Sequence, residues 1–233
     1  MRKVLPIEPR TAHIITPGLH LDARRVLWMP EERALVAADL HLGYAWAHRH
    51  AGQLMPITAP DDAIHRLAAL AEEYDAQRVV LLGDIVHRAV PVPALREELA
   101  ALSARLAGRE VRWIAGNHDR ELESLLPEVA LEREIALGGH LLTHGAEETA
   151  ATAGGWLIMG HEHPAIHLHD GVATGVKVPC FLAGPRLLIL PAFSQWAAGA
   201  NIRSGQFLSA IATRTRFTHA FAVIAGRILP VPL

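Results

Sequence analysis

Apolar residues along the chain come in short unbroken runs, each closed by a glycine or a polar residue. Five stand out: ALVAAD at 34–39, RVVLLGD at 78–84, EVRWIAG at 110–116, HLLTHG at 140–145 and GWLIMG at 155–160. Runs this short, with no polar alternation, predict strands covered on both faces. Between the first two lies PDDAIHRLAALAEEYD, where Ile64, Leu67, Ala68 and Ala71 recur at helical spacing behind an aspartate N-cap candidate. Between the second and third, PALREELAALSARLAG puts Leu95, Leu99, Leu102 and Leu106 on one face and ends in Gly108, a natural C′ residue. Both stretches predict helices.

Alternation of strand and helix predicts an α/β sheet. The last fifty residues change character: RLLILPAF and AFAVIAGRILPVPL read as strands without helices between them, so a mixed or second sheet is expected there. AVPVP at 89–93 marks a loop. No repeat, low-complexity tract or long linker divides the chain, which predicts a single domain over residues 1–233.

Composition narrows the function. With 51% hydrophobic and 20% charged residues the chain is an ordinary globular protein, and a net charge of −2 excludes nucleic-acid binding through a global basic field. Cys180 is the only cysteine, so no intramolecular disulfide forms; it is expected to be a packed core residue. The N-terminal MRKVLPIEPR lacks an apolar h-region, and no run reaches the roughly 18 apolar residues of a spanning helix. A soluble cytoplasmic protein with no membrane contact is the expectation. Against 2 tyrosines and 5 phenylalanines stand 15 histidines, the commonest metal-ligating side chain.

Where those histidines fall gives them meaning. Just beyond the five strand-like runs come Asp39-Leu40-His41, Gly83-Asp84, Gly116-Asn117-His118-Asp119, Thr143-His144-Gly145 and Gly160-His161-Glu162-His163. In open α/β sheets function gathers beyond the carboxyl ends of strands. Strand-end pairs at i and i+2, such as Asp39/His41 and His161/His163, are expected to share one face. Carboxylate, imidazole and amide oxygen suit divalent transition metals, and the set is larger than one ion needs, which implies two. Mn²⁺, Fe²⁺ and Zn²⁺ all accept it. The glycines at 83, 116, 145 and 160 fit loops that turn sharply or approach a site closely.

The ordered set D-x-H, G-D, G-N-H-D, H and G-H-x-H, spread over residues 39–163, resembles the calcineurin-like metallophosphoesterase superfamily. That resemblance implies a four-layer αββα sandwich of two mixed β-sheets flanked by helices. It implies Asp39, His41, Asp84 and His163 as ligands of one metal and Asp84, Asn117, His144 and His161 as ligands of the other, with Asp84 bridging. A narrower resemblance rests on ADLHLGYAWAHRHAGQLMP and on GHEHPAIHL followed by KVPCFLAGPRLLILPAF. These stretches are similar to bacterial phosphoesterases associated with a DNA ligase and helicase and to archaeal relatives, implying such partners. The chain departs from that pattern at Tyr44, where a lysine is expected, and at His48 and His50, where an aromatic and an arginine are expected.

The implied reaction is hydrolysis of a phosphodiester or pyrophosphate, with a nucleotide or nucleic-acid end among the substrates it admits, by a hydroxide held between two ions. His118, next to a ligand but not one, suits a general acid or charge stabiliser, and Asp119 is expected to orient its ring. Arg49, His87 and Arg88 are expected to grip substrate phosphate, with His48 and His50 weaker candidates. His13, His20, His65, His140, His167, His169 and His219 read as surface or structural, and Trp46 and Trp113 as core anchors. The scarcity of cations near the loops favours a diester over a dianionic monoester. Two alternatives stay open: a DNA-end nuclease working with a ligase, and a silent metal-binding scaffold of a DNA-processing complex, which the complete ligand set disfavours.

Overall fold

A computed structural model describes residues 12–55, 62–149, 154–169 and 175–233. The chain opens with an antiparallel meander of β1 (Ala12–Thr16), β2 (Leu19–Asp22), β3 (Val26–Met29) and β4 (Ala34–Ala38). Then follow α1 (Tyr44–His50), α2 (Asp62–Glu73), β5 (Arg78–Leu82), α3 (Pro93–Arg105), β6 (Glu110–Ile114), the single-turn α4 (Leu122–Leu125) and β7 (Leu131–Glu132). From β4 to β7 the strands run parallel, so the first sheet is mixed and ordered β1 to β7 as in the chain. The second half supplies β8 (Glu134–Leu137), β9 (His140–Thr143), β10 (Leu157–Met159), β11 (Pro164–His169), β12 (Gly175–Gly184), β13 (Leu187–Ile189) and β14 (Ala200–Asn201). A 3₁₀ turn (Ile202–Ser204), α5 (Ala210–Arg214) and a hairpin of β15 (His219–Ile224) and β16 (Arg227–Pro232) end it. These strands form a second mixed sheet, ordered β14-β11-β12-β13-β10-β9-β8, with β15 and β16 added through β12.

The apolar runs are continuous because both faces of each central strand are covered. In β4, Ala34, Val36 and Ala38 point into the core between the sheets, while Leu35 and Ala37 join the core under the helices. Val80 and Leu82 of β5 likewise face the second sheet, and Val79 and Leu81 the helices. The inter-sheet core is completed by Leu142, Ile158, Phe181, Leu188 and Phe221. Beyond the second sheet, Ile166, Cys180, Leu182 and Ile189 pack against Ile202 and Ala212 of the last, thin helical layer. The four layers are thus helix, sheet, sheet and helix, as the family resemblance implies. Cys180 is fully buried, and burial pushes its thiol up to about 12.

The predicted helices and strands all form, with local differences. Leu95, Leu99, Leu102 and Leu106 are all fully buried on α3, which starts at Pro93 because a first-turn proline forfeits no helical hydrogen bond. The C-cap of α3 is Leu106, so Gly108 is not C′ but one residue further on, where φ +83° lets the chain reverse towards β6. The aspartate N-cap side chain expected for α2 and the segment MRKVLPIEPR lie outside the described residues. Strands β1–β3, β7, β8, β11, β12 and β14 and helices α1, α4 and α5 match none of the runs that predict an element. Among the described residues no helix is long and apolar enough to cross a membrane.

One polar staple ties the meander to the helices. Asp22, 1% exposed, accepts from Tyr74 Oη at 2.6 Å and from the Arg24 backbone N–H at 2.7 Å and Nη2 at 2.6 Å. Arg24 also donates to Glu73 Oε1 at 3.1 Å at the end of α2. Burial pushes the Asp22 carboxyl up, but the bonds from Arg24 and Tyr74 outweigh it and hold the group below the usual carboxylate range. Tyr74→Phe removes one hydrogen bond to this charge and should cost about 1.5 kcal/mol, read by urea denaturation at pH 7. A depressed carboxyl stabilises fully above its unfolded pKa of about 3.9 and loses that contribution as pH falls through the folded value. The difference between wild type and mutant should therefore hold at neutral pH and shrink below about pH 4; a mutant as stable as wild type at pH 7 would remove the staple from the account.

Candidate metal centre

Five parallel-strand ends converge on one rim. Asp39 and His41 follow β4, Asp84 follows β5, Asn117 and His118 follow β6, His144 follows β9, and His161 and His163 follow β10. The rim spans both sheets: Phe193 and Ser194, just past β13, donate their backbone N–H groups to Ala38 and Asp39 carbonyls at 2.8 and 3.1 Å. His41 N donates to the Asp84 carbonyl at 2.9 Å, locking the first two loops together.

The pairs at i and i+2 do not share a face through strand pleating, as the sequence suggested. Every strand ends before its ligand, and the backbone at Asp39 (φ 56°), His41 (48°), Asp84 (46°), His161 (69°) and His163 (44°) is left-handed. These reversals, sparsely populated by non-glycine residues, aim the side chains inward, and Asp and His tolerate them better than most. Two glycines make room. A Cβ on Gly116 would lie 2.2 Å from Asp84 Oδ1, and one on Gly160 would lie 2.7 Å from Asp39 Oδ2.

The proposed ligands form two clusters that share Asp84, and His41, His87 and His118 make a further group of ring nitrogens beside them. Asp39, His41, Asp84 and His163 offer ligand atoms within 4.8 Å of one another, and so do Asp84, His144 and His161. Asn117 Oδ1 lies 3.1 Å from His144 Nε2 and completes the second set. His144 Nε2 is 3.5 Å from Asp84 Oδ1 and 3.1 Å from His161 Nδ1, and His41 Nε2 faces His163 Nε2 at 3.2 Å. All seven residues proposed as ligands from the sequence are thus brought together.

Electrostatics suits cations. Asp39 is 0% and Asp84 2% exposed, and among the described residues their ion-pair partners are histidines alone. Burying two carboxylates without a permanent positive charge is costly unless a cation joins them. Burial raises Asp39, but the hydrogen bond and charge of His163, then the charge of His144, bring it below the usual carboxylate range. Burial and the neighbouring His163, His87 and His118 push His41 down to about 3 against the pull of Asp39, which holds its ring neutral, the form that ligates. Its Nδ1 is a buried atom with no hydrogen-bond partner among the described residues. His144 Nδ1 donates to the Leu82 carbonyl at 3.0 Å, leaving Nε2 for a metal. Nitrogens and oxygens 3.1–3.5 Å apart fit ligands of ions with bonds of about 2.0–2.2 Å, so the residues present fit two divalent metals.

The remaining candidates sort differently. His118 is fixed by its Nδ1–H donating to the His87 carbonyl at 2.6 Å, and its Nε2 lies 3.9 Å from Asp84 Oδ2. Asp119 does not orient that ring. Its carboxylate, 0% exposed, accepts from the backbone N–H groups of Val86 (3.0 Å), Ile85 (3.2 Å) and Gly116 (2.9 Å), and so welds the third ligand loop to the second. Burial raises its pKa although those three bonds oppose the rise. Arg49 is exposed on α1 and donates to the Met55 carbonyl at 3.3 Å; it does not line the cleft beside the metals. That cleft, of about 630 Å³, is lined by His87, Arg88, Asn117, His118 and Arg120 together with His50 and the acidic Glu121. Arg120 was missed, although it directly follows the Gly116-Asn117-His118-Asp119 motif. Glu162 was missed as well: its buried carboxylate accepts from Leu208 and Ser209 N–H groups, both at 2.8 Å, anchoring the start of α5 to the His161 and His163 loop.

Two solved structures are similar to this chain. A crystal structure of Pseudomonas putida nuclease MPE superposes with a TM-score of 0.66 at 25% identity, covering 91% of this chain and 94% of that one. The Escherichia coli phosphoesterase YfcE superposes with a TM-score of 0.44 at 18% identity, covering 85% of this chain and 98% of that one. No curated protein sequence matches. The family model for calcineurin-like phosphoesterases matches residues 32–148, half of the chain, and that span runs from the Asp39 loop through His144; the chain belongs to the calcineurin-like phosphoesterase family.

Proposed function

We propose that the chain hydrolyses a phosphodiester or pyrophosphate bond with two divalent ions, Mn²⁺ foremost, Fe²⁺ and Zn²⁺ being compatible with the same ligands. One observation carries this reading: a single buried carboxylate, Asp84, belongs to both ligand clusters. Paired divalent ions in such a site make water a stronger nucleophile and neutralise charge on phosphoryl oxygens.

The chain's own residues supply the rest. His118, with Nδ1–H committed to the His87 carbonyl, presents Nε2 to the side of the centre that opens into the cleft, where it can give a proton to a departing oxygen. Arg88 and Arg120 line that cleft and take the role expected of Arg49, gripping non-reacting phosphate oxygens. Arg120 adds a cation to the cleft but Glu121 adds an acid, so the cleft stays short of the positive charge that holds a dianionic monoester and suits a monoanionic diester. Similarity to a nuclease favours a nucleic-acid or nucleotide diester over other diesters.

Two outcomes test this. With Mn²⁺ supplied, bis(p-nitrophenyl) phosphate should be cleaved with a higher kcat/KM than p-nitrophenyl phosphate; equal or better turnover of the monoester would reverse the assignment. His118→Asn should keep its metal content by elemental analysis and lose kcat on the order of 10²-fold, the usual scale for a positioned acid or charge stabiliser. Loss of metal in that mutant would instead make His118 a ligand.

A further inference from the structure

Beside the metal centre Tyr44 and Trp196 stack flat, with ring centroids 5.4 Å apart and planes 4° apart. Tyr44 opens α1, three residues after His41, and its ring also meets those of His87 at 4.5 Å and His48 at 4.3 Å. The His87 ring in turn meets His41 and His118, each at 5.5 Å. Trp196 therefore ends a row of rings that begins at a metal ligand and passes the residue assigned to the leaving group.

The indole is held there from its own side. Its loop is bonded to both halves of the first ligand cluster: Ser194 N donates to the Asp39 carbonyl at 3.1 Å and Ala200 N to the His163 carbonyl at 2.8 Å. Arg25 Nη1 donates to the Ser194 carbonyl at 3.0 Å, and Trp196 N to Ser194 Oγ at 3.2 Å. Yet Trp196 stays 40% exposed while its ring stacks on Tyr44. The other tryptophans near the site behave otherwise: Trp113 is 6% exposed, and Trp46 packs on the helix-side core with Nε1 donating to Glu98 at 2.8 Å.

We propose that Tyr44 and Trp196 form a stacking shelf for an unpaired nucleobase beside the scissile phosphate, a specificity determinant for nucleotides and single strands. The proposal rests on the phosphoesterase reading above. Every base offers a flat π-face, so an exposed indole grips it with little regard to sequence. A chain of net charge −2 has no general field to hold a polyanion, which leaves base contact and the two cleft arginines to do so. A base within a duplex has both faces stacked and cannot lie on the shelf.

The test compares two short single strands of equal length and charge, an oligothymidylate and its abasic analogue. The wild-type protein should favour the strand with bases, in kcat/KM with Mn²⁺ and in affinity by fluorescence anisotropy in EDTA. Trp196→Ala should lower that preference at least about fivefold, the lower end of what one stacked base contributes, and Trp196→Phe should keep it. No base preference in wild type, or the same preference in Trp196→Ala, overturns the shelf. If neither strand is cleaved but the anisotropy preference is present and lost in Trp196→Ala, the shelf stands and the reading of nucleic-acid diester hydrolysis fails.

Discussion

Two buried carboxylates with only histidines for company constrain everything else in this molecule. Asp39 and Asp84 sit under the rim where the sheets meet, and no arginine or lysine among the described residues neutralises them. A lone buried carboxylate normally escapes by binding a proton. Here Asp39 does the reverse and is held below the usual range by the ring of imidazoles. The arrangement makes physical sense as a receptacle for positive charge. The family to which the chain belongs gives that receptacle its chemistry.

Building it requires backbone that a relaxed fold avoids. Five of the proposed ligands have left-handed φ, each costing on the order of 1 kcal/mol or more, and such strain persists only where the surroundings enforce it. The enforcement is visible. Parallel strands buried on both faces fix where each loop begins, Asp119 ties two loops through three backbone N–H groups, and Glu162 ties a third to α5. Rigid sheets on both sides thus allow a precise, strained centre between them, and backbone hydrogen bonds to Asp39 and His163 hold the Trp196 loop beside it.

The sequence made much of this legible because the signals were local. Unbroken apolar runs marked β4, β5, β6, β9 and β10, and the residues just beyond them, sorted into two ligand sets by the family resemblance, include all seven members of the two clusters. Where the reading failed, the cause was tertiary. The short meander β1–β3 carries no apolar period that stands out, and no helix separates its strands. The i and i+2 pairing was assigned to strand pleat because left-handed φ at Asp39, His41, His161 and His163 leaves no mark when the residue is not glycine. Asp119 looked like a partner for the adjacent His118, but its carboxylate turns towards Ile85 and Val86, remote in sequence. Arg49 was assigned by its charge; only the fold shows that α1 carries it away while Arg88 and Arg120 line the cleft. Tyr44 and Trp196, far apart in the chain, gave no joint signal.

The central claim is that Asp84 joins two ions in one site, and anomalous diffraction from crystals grown with Mn²⁺ tests it most directly. The account predicts two anomalous peaks about 3.5–4 Å apart, one on either side of the Asp84 carboxylate, the first touching Asp39, His41 and His163 and the second Asn117, His144 and His161. A single peak at full occupancy, or two peaks of which one does not touch Asp84, would contradict it.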